Sequence, residues 1–148
     1  MLKAPPPLWA LALLAAGYFL SDLPTFAGLP QWRSEVAGLT LLVLGIALPA
    51  IAANQFRLAG TQILPTSEKN DALVTSGLYR FTRNPMYLGV VTASVGAALW
   101  FGRPLMLLAP IGVFAIANFV LIPFEEAKMR RQFGEVFDDY CRRVRRWI

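Results

Sequence analysis

Two short clusters hold most of the side chains that could grip a small molecule. One is Tyr79, Arg80, Arg83, Asn84, Pro85 and Tyr87; the other is the adjacent pair Glu125-Glu126. Arginine can take a carboxylate through paired N–H donors. A carboxylate can take an ammonium, and tyrosine can lie against a ring or a cation. Together these groups would suit a zwitterionic ligand that also carries an aromatic ring. The chain has no histidine and a single cysteine, Cys141. The usual base near neutral pH is missing, and one cysteine makes neither a disulfide framework nor a thiolate metal site. Triad hydrolysis and zinc catalysis are therefore disfavoured, and no metal site is expected.

Each residue also has a structural explanation. Asn is a favoured N-cap and Pro a favoured first helical residue, so Asn84-Pro85 would start a helix whatever else it did. Arginine and tyrosine are ordinary anchors at a membrane interface. Acidic residues in a first helical turn are stabilised by the helix dipole, and Glu126 and Arg130 have the spacing of a helical ion pair. Adjacent helical residues point about 100° apart. One glutamate can thus meet Arg130 or solvent while the other faces the bundle, where an unpaired carboxylate is costly.

The elements that must position these groups are apolar. Of 148 residues, 56% are hydrophobic and only 16% charged, against about 25% charged in soluble domains. Residues 36–53 and 104–124 carry no charge, and each run is long enough to cross a hydrocarbon core of roughly 30 Å as a helix. Residues 8–20 and 86–101 are shorter apolar runs. The expected fold is all-α: an integral membrane bundle of about four transmembrane helices, with residues 1–148 as one domain. Lys3 before an apolar stretch also resembles a secretory signal, but Pro5-Pro6-Pro7 fits a helix entry better.

Twelve of the fourteen basic residues fall on one side of this topology; Arg33 and Arg103 alone fall on the other. By the positive-inside rule both termini are expected in the cytoplasm. The net charge of +5 needs no nucleic acid to explain it, and the basic tail would sit on anionic lipid. Residues 1–53 form a first hairpin, and 54–84 a long segment too apolar for a simple linker. The last two spans are joined only by Gly102-Arg103-Pro104. That tight hairpin must bring the Arg83–Tyr87 cluster and the Glu125-Glu126 pair to the same end. After Pro123 the pattern predicts one amphipathic helix through Met129, Phe133, Phe137, Tyr140 and Val144.

Phe56-Arg57, Gly60-Thr61, Pro65 and the run from Leu73 to Gly89, followed by "EEAKMRRQFGEVFDDYCRRVRRWI", resemble the isoprenylcysteine carboxyl methyltransferase family and its phospholipid methyltransferase relatives. The likeness covers about residues 54–148 in two blocks of the family's order and spacing. It implies an S-adenosylmethionine-dependent methyltransferase, with S-adenosylhomocysteine as product and a cofactor site at the cytoplasmic membrane face. Carried across, the cofactor-binding residues are Leu73, Val74, Tyr79, Arg83, Asn84, Pro85, Tyr87, Glu125 and Glu126. The resemblance places the chain in a membrane, the bacterial inner membrane by its likeness to bacterial members, with membrane lipid and a small amphiphilic substrate as partners. Two departures stand out. The family's histidine is Asn84 here, which cannot serve as a base near neutral pH. The arginine that the isoprenylcysteine enzymes place just before the Glu pair is replaced by Val120-Leu121-Ile122, which weighs against a prenylcysteine carboxylate as acceptor.

Two other readings remain: a non-catalytic membrane scaffold or lipid-binding relative, and a membrane reductase of the steroid-reductase type. The second would need a further phosphate-binding constellation, and none is evident.

Overall fold

The computed structural model describes residues 5–26, 28–60 and 72–148. Lys3, and Thr61, Pro65 and Lys69 of the long segment, lie outside the described residues. Six α-helices appear among those described: α1 (Pro6–Leu20), α2 (Glu35–Leu58), α3 (Pro85–Phe101), α4 (Leu108–Ile116), α5 (Ile122–Phe133) and α6 (Glu135–Arg143). No strand occurs among these residues. A 3₁₀ turn at Pro104–Leu107 leads into α4, and a π turn at Ala117–Leu121 joins α4 to α5. The path from Pro104 to Phe133 is thus one helical segment of 30 residues.

Two segments are long and apolar enough to span a bilayer, Glu35–Leu58 and Pro104–Phe133; Pro6–Leu20 and Pro85–Phe101 are shorter apolar helices. They are not the covered core helices of a soluble protein. Val36, Leu39, Val43, Leu44, Ile46 and Ile51 of α2 all face outward, as do Leu108, Ile111, Phe119 and Phe124 on the α4–α5 segment. Apolar surface on this scale is stable against lipid and not against water.

The closest packing joins α2 to α3 along small residues. A Cβ added at Gly45 would lie 2.2 Å from the Ala93 backbone nitrogen, and one at Gly96 would lie 2.5 Å from that of Leu42. Gly89 receives the ring of Pro49, whose Cδ would be 2.3 Å from an added Cβ. On α2 the buried residues Gly38, Gly45 and Ala52 recur every seven positions, the period that keeps one seam facing an antiparallel neighbour. In lipid, where apolar surface gains nothing by leaving solvent, such backbone approach is what holds helices together.

At the end where α3 finishes, Arg103 ties the first hairpin to the second. Its Nη1 donates to Tyr18 O at 2.8 Å and to Asp22 Oδ1 at 2.7 Å, and its guanidinium carbon sits 3.9 Å from the Tyr18 ring centre.

The tail differs from the expected single helix. Gly134, with φ 53° and ψ −129°, breaks it into α5 and α6, a backbone region that other residues rarely adopt. Arg130 Nε reaches across this corner to Asp138 at 2.7 Å. After α6 the backbone extends at Val144 and returns beneath the start of α3.

Candidate functional site

The site is assembled at the end of the bundle where α3 begins. Asn84 does sit at the N-cap position and Pro85 at the first turn, but the Asn84 side chain makes no capping bond. Its backbone oxygen accepts from Leu88 N–H at 3.0 Å, while Nδ2 turns away and donates to Arg146 O at 3.0 Å. Thr82 Oγ1 donates to the same carbonyl at 3.2 Å and accepts from Asn84 N–H at 3.1 Å. Both side chains are nearly fully buried.

Arg83 is more committed than its sequence suggests. Its backbone N–H donates to Arg145 O at 3.0 Å. Nη1 donates to the carbonyls of Cys141 and Val144, at 3.1 and 2.5 Å, and so caps the end of α6. A cation there also meets the negative end of the helix dipole. Nη2 donates to Glu126 Oε1 at 2.7 Å, and Nε is buried without a partner among the described residues.

Glu126 meets a second guanidinium. Arg146 forks onto it, with Nη2 2.6 Å from Oε2 and Nε 3.2 Å from Oε1. The side chains of Arg83 and Glu126 are only 13% and 15% exposed, that of Arg146 32%, so the three charges are little screened by solvent. The expected Glu126–Arg130 pair does not form; Arg130 holds Asp138 instead. Glu125 faces the other way, where Tyr87 O–H donates to its Oε1 at 2.5 Å. Lys128 supplies a positive charge beside this carboxylate. The pair therefore splits: both oxygens of Glu126 are taken up by arginines, while Glu125 turns to Tyr87.

Leu73, Val74 and Tyr79 are not in this polar group. They join an apolar cluster beside it with Ala52, Phe137, Tyr140 and Val144. The Tyr79 ring meets Phe56 edge-on at 5.3 Å, and Tyr140 O–H donates to Tyr79 O at 2.7 Å. Burial pushes both phenols well above their ordinary range, with each other's neighbourhood adding to it at Tyr79, so neither offers acid–base chemistry near neutral pH. Burial also raises the Cys141 thiol, which packs against the same apolar cluster.

Gly77, at φ 59°, opens the 3₁₀ turn Gly77–Arg80. A Cβ there would lie 1.7 Å from Gln55 Nε2 of α2, and Leu78 N–H donates to Gln55 Oε1 at 3.3 Å. Gln55 thus seats the loop that carries Tyr79. The structure adds Gln55, Thr82, Asn118 and Trp147 to the neighbourhood, and gives Arg146 a place at its centre. Only Asn118 carries a signal that could have marked it, as the one polar side chain between Pro104 and Phe124.

Comparison with known proteins bears on this arrangement. The family model described as phospholipid methyltransferase matches residues 34–136. Protein-S-isoprenylcysteine O-methyltransferase B of Arabidopsis thaliana is 32% identical, over 92% of this chain and 71% of that protein. The protein-S-isoprenylcysteine O-methyltransferase of Saccharomyces cerevisiae is 28% identical, over 90% of this chain and 57% of that protein. Among solved structures, a eukaryotic intramembrane Ras methyltransferase, an isoprenylcysteine carboxyl methyltransferase, superposes with a TM-score of 0.67 at 25% identity. That match covers 97% of this chain and 52% of the other, so the chain spans about half the length of that structure. These relatives are eukaryotic and lend nothing to a bacterial membrane in particular.

Proposed function

The chain belongs to the phospholipid methyltransferase and isoprenylcysteine carboxyl methyltransferase family and is an integral membrane protein, and on that premise we propose that it is an S-adenosylmethionine-dependent methyltransferase. Its acceptor is a hydrophobic or amphiphilic molecule that enters from the lipid, and its cofactor site faces the cytoplasm, where the positive-inside rule places the basic end. The four apolar helices then serve as four crossings.

The observation that carries this reading is the meeting of Tyr87–Glu125 and Arg83–Glu126 at one helix mouth. The residues fit the cofactor's chemistry. Glu125 offers a carboxylate oxygen to a cationic group, and Tyr87 orients that carboxylate. The apolar cluster of Leu73, Val74 and Tyr79 suits the adenine end. Asn84 and Pro85 fix the start of α3, so that Tyr87 arrives one half-turn later. Arg83 and Glu126 hold the frame of the site, since their charged groups are engaged with each other and with the tail.

When bound, S-adenosylmethionine supplies an activated methyl group on a sulfonium, and displacement by an anionic acceptor needs little proton transfer. The protein's work is then to align the reacting atoms and exclude water, which can account for several kcal/mol of barrier lowering. A chain without histidine can do this. The acceptor is a carboxylate, thiol, amine or lipid headgroup. The relatives act on isoprenylcysteine, but the guanidiniums nearest the Glu pair here, those of Arg83 and Arg146, are both turned onto Glu126. Incubating membranes that contain the protein with methyl-labelled S-adenosylmethionine, and identifying the product by mass, tests the proposal. Label in an amphiphile supports it; no incorporation above membranes lacking the protein refutes it.

A further inference from the structure

The π turn at Ala117–Leu121 has a consequence for the other end of the chain. Within it Ile122 N–H donates to Ala117 O, one residue further back than in an α-helix. The next donor that could reach Asn118 O in this register belongs to residue 123, which is proline and has no N–H. The carbonyl of Asn118 is thus left without a partner from its own helix, a common result of π turns that often marks function. Arg146 Nη1 supplies the donor, 3.3 Å from Asn118 O and 3.4 Å from Asn118 Oδ1. Trp147 Nε1 donates to the same Oδ1 at 3.0 Å. Both partners are donors, so the amide must present its oxygen to them.

The two residues held in this way both touch the candidate site. Arg146 forks onto Glu126. Trp147 packs in the cluster of Tyr87, Ala117 and Ile122 and lies against Phe114, one turn before Asn118, with ring centres 4.8 Å apart. A lone amide in an apolar membrane segment is costly unless it is used. We propose that Asn118 is a positioning residue: the notch formed by its carbonyl and side-chain oxygens, opened by the π turn and Pro123, seats Arg146 and Trp147 so that Glu126 is neutralised and Tyr87 is backed. The functional half of this inference rests on the cofactor site proposed above; the placement of Trp147 does not.

Two readouts separate those halves. Protein labelled with 5-fluorotryptophan gives a fluorine NMR signal for Trp147, assigned by its loss in Trp147→Phe, and titration calorimetry gives the affinity for S-adenosylhomocysteine. Asn118→Leu is expected to shift or broaden the Trp147 signal and to weaken binding by about tenfold, the scale of a lost hydrogen bond to a charged group. Asn118→Asp, which keeps an acceptor for both donors, should hold the signal in place and stay within about threefold of the parent affinity. A residue needed only to shape the helix would show no such rescue. Pro123→Ala returns an N–H to the helix and should weaken binding by about threefold while the Trp147 signal stays, because that contact is to the side chain. Asn118→Leu combined with Arg146→Met should bind no more weakly than Arg146→Met alone. Should Asn118→Leu not fold, Asn118→Ser, too short to reach both donors, takes its place with the same expectations. An unmoved Trp147 signal in the Leu or Ser variant, or additive losses in the double variant, overturns the proposal. If the parent protein binds no S-adenosylhomocysteine, the cofactor reading falls, and the Trp147 signal still decides the placement.

Discussion

Successive helical residues diverge by about 100°, and at Glu125 and Glu126 that divergence sends one carboxylate to Tyr87 and the other to two guanidiniums. The two should respond differently to substitution. Tyr87→Phe keeps the ring and removes only the bond to Glu125, so S-adenosylhomocysteine should bind about tenfold more weakly, as read by calorimetry, with the unfolding midpoint little changed. Glu126→Leu leaves the buried Arg83 guanidinium unpaired and should cost about 3 kcal/mol of stability, the usual penalty for breaking a buried pair from one side. Denaturant unfolding in detergent would show it. The sequence contains enough to place Arg83 near the Glu pair, because a three-residue hairpin leaves no other arrangement. It does not reveal that Arg83 caps α6 or that Arg146 fills the second side of Glu126. The cap joins residues 58 and 61 positions apart and the Arg146 contact residues 20 apart, through a tail whose path has no local signature. The local rule favoured Glu126–Arg130, and a better-buried partner displaced it.

At the level of elements, the tail shows where periodicity misleads. Apolar residues at spacings of three to five continue from Phe124 to Val144, so the pattern predicts one helix. Gly134 turns the chain at φ 53° instead, with no atom near where a Cβ would stand. The cost of Gly134→Ala is then purely conformational, about 1–2 kcal/mol, and thermal unfolding should fall accordingly without any change in the residues the site brings together. The π turn was equally hidden: Asn118 and Pro123 are visible in sequence, but only the register of the helix between them shows that they act together. By contrast the starts of α3 at Pro85 and α2 at Glu35 follow the sequence closely, since proline at a first turn and the onset of an uncharged run are local signals.

The whole molecule is held by the α2–α3 seam, which fixes the α3 start relative to Gln55 and the loop it seats. Gly45→Leu places side-chain atoms where the Ala93 backbone already lies. Overpacking of this kind should cost about 1–3 kcal/mol or more and lower the unfolding midpoint in detergent, with loss of ligand binding as a consequence of misplaced helices. The apolar membrane class was legible from composition because uncharged runs of that length have few other uses. The seam was less so: glycines at sevenfold spacing look like flexible positions until a neighbouring backbone is seen against them.

The claim on which the rest depends is that the Tyr87–Glu125 mouth binds S-adenosylmethionine. Calorimetric titration of S-adenosylhomocysteine into the purified protein in detergent tests it most directly. Saturable binding is expected, weakened in both Tyr87→Phe and Glu125→Gln. No binding at millimolar concentration, or binding unchanged in both variants, would contradict it.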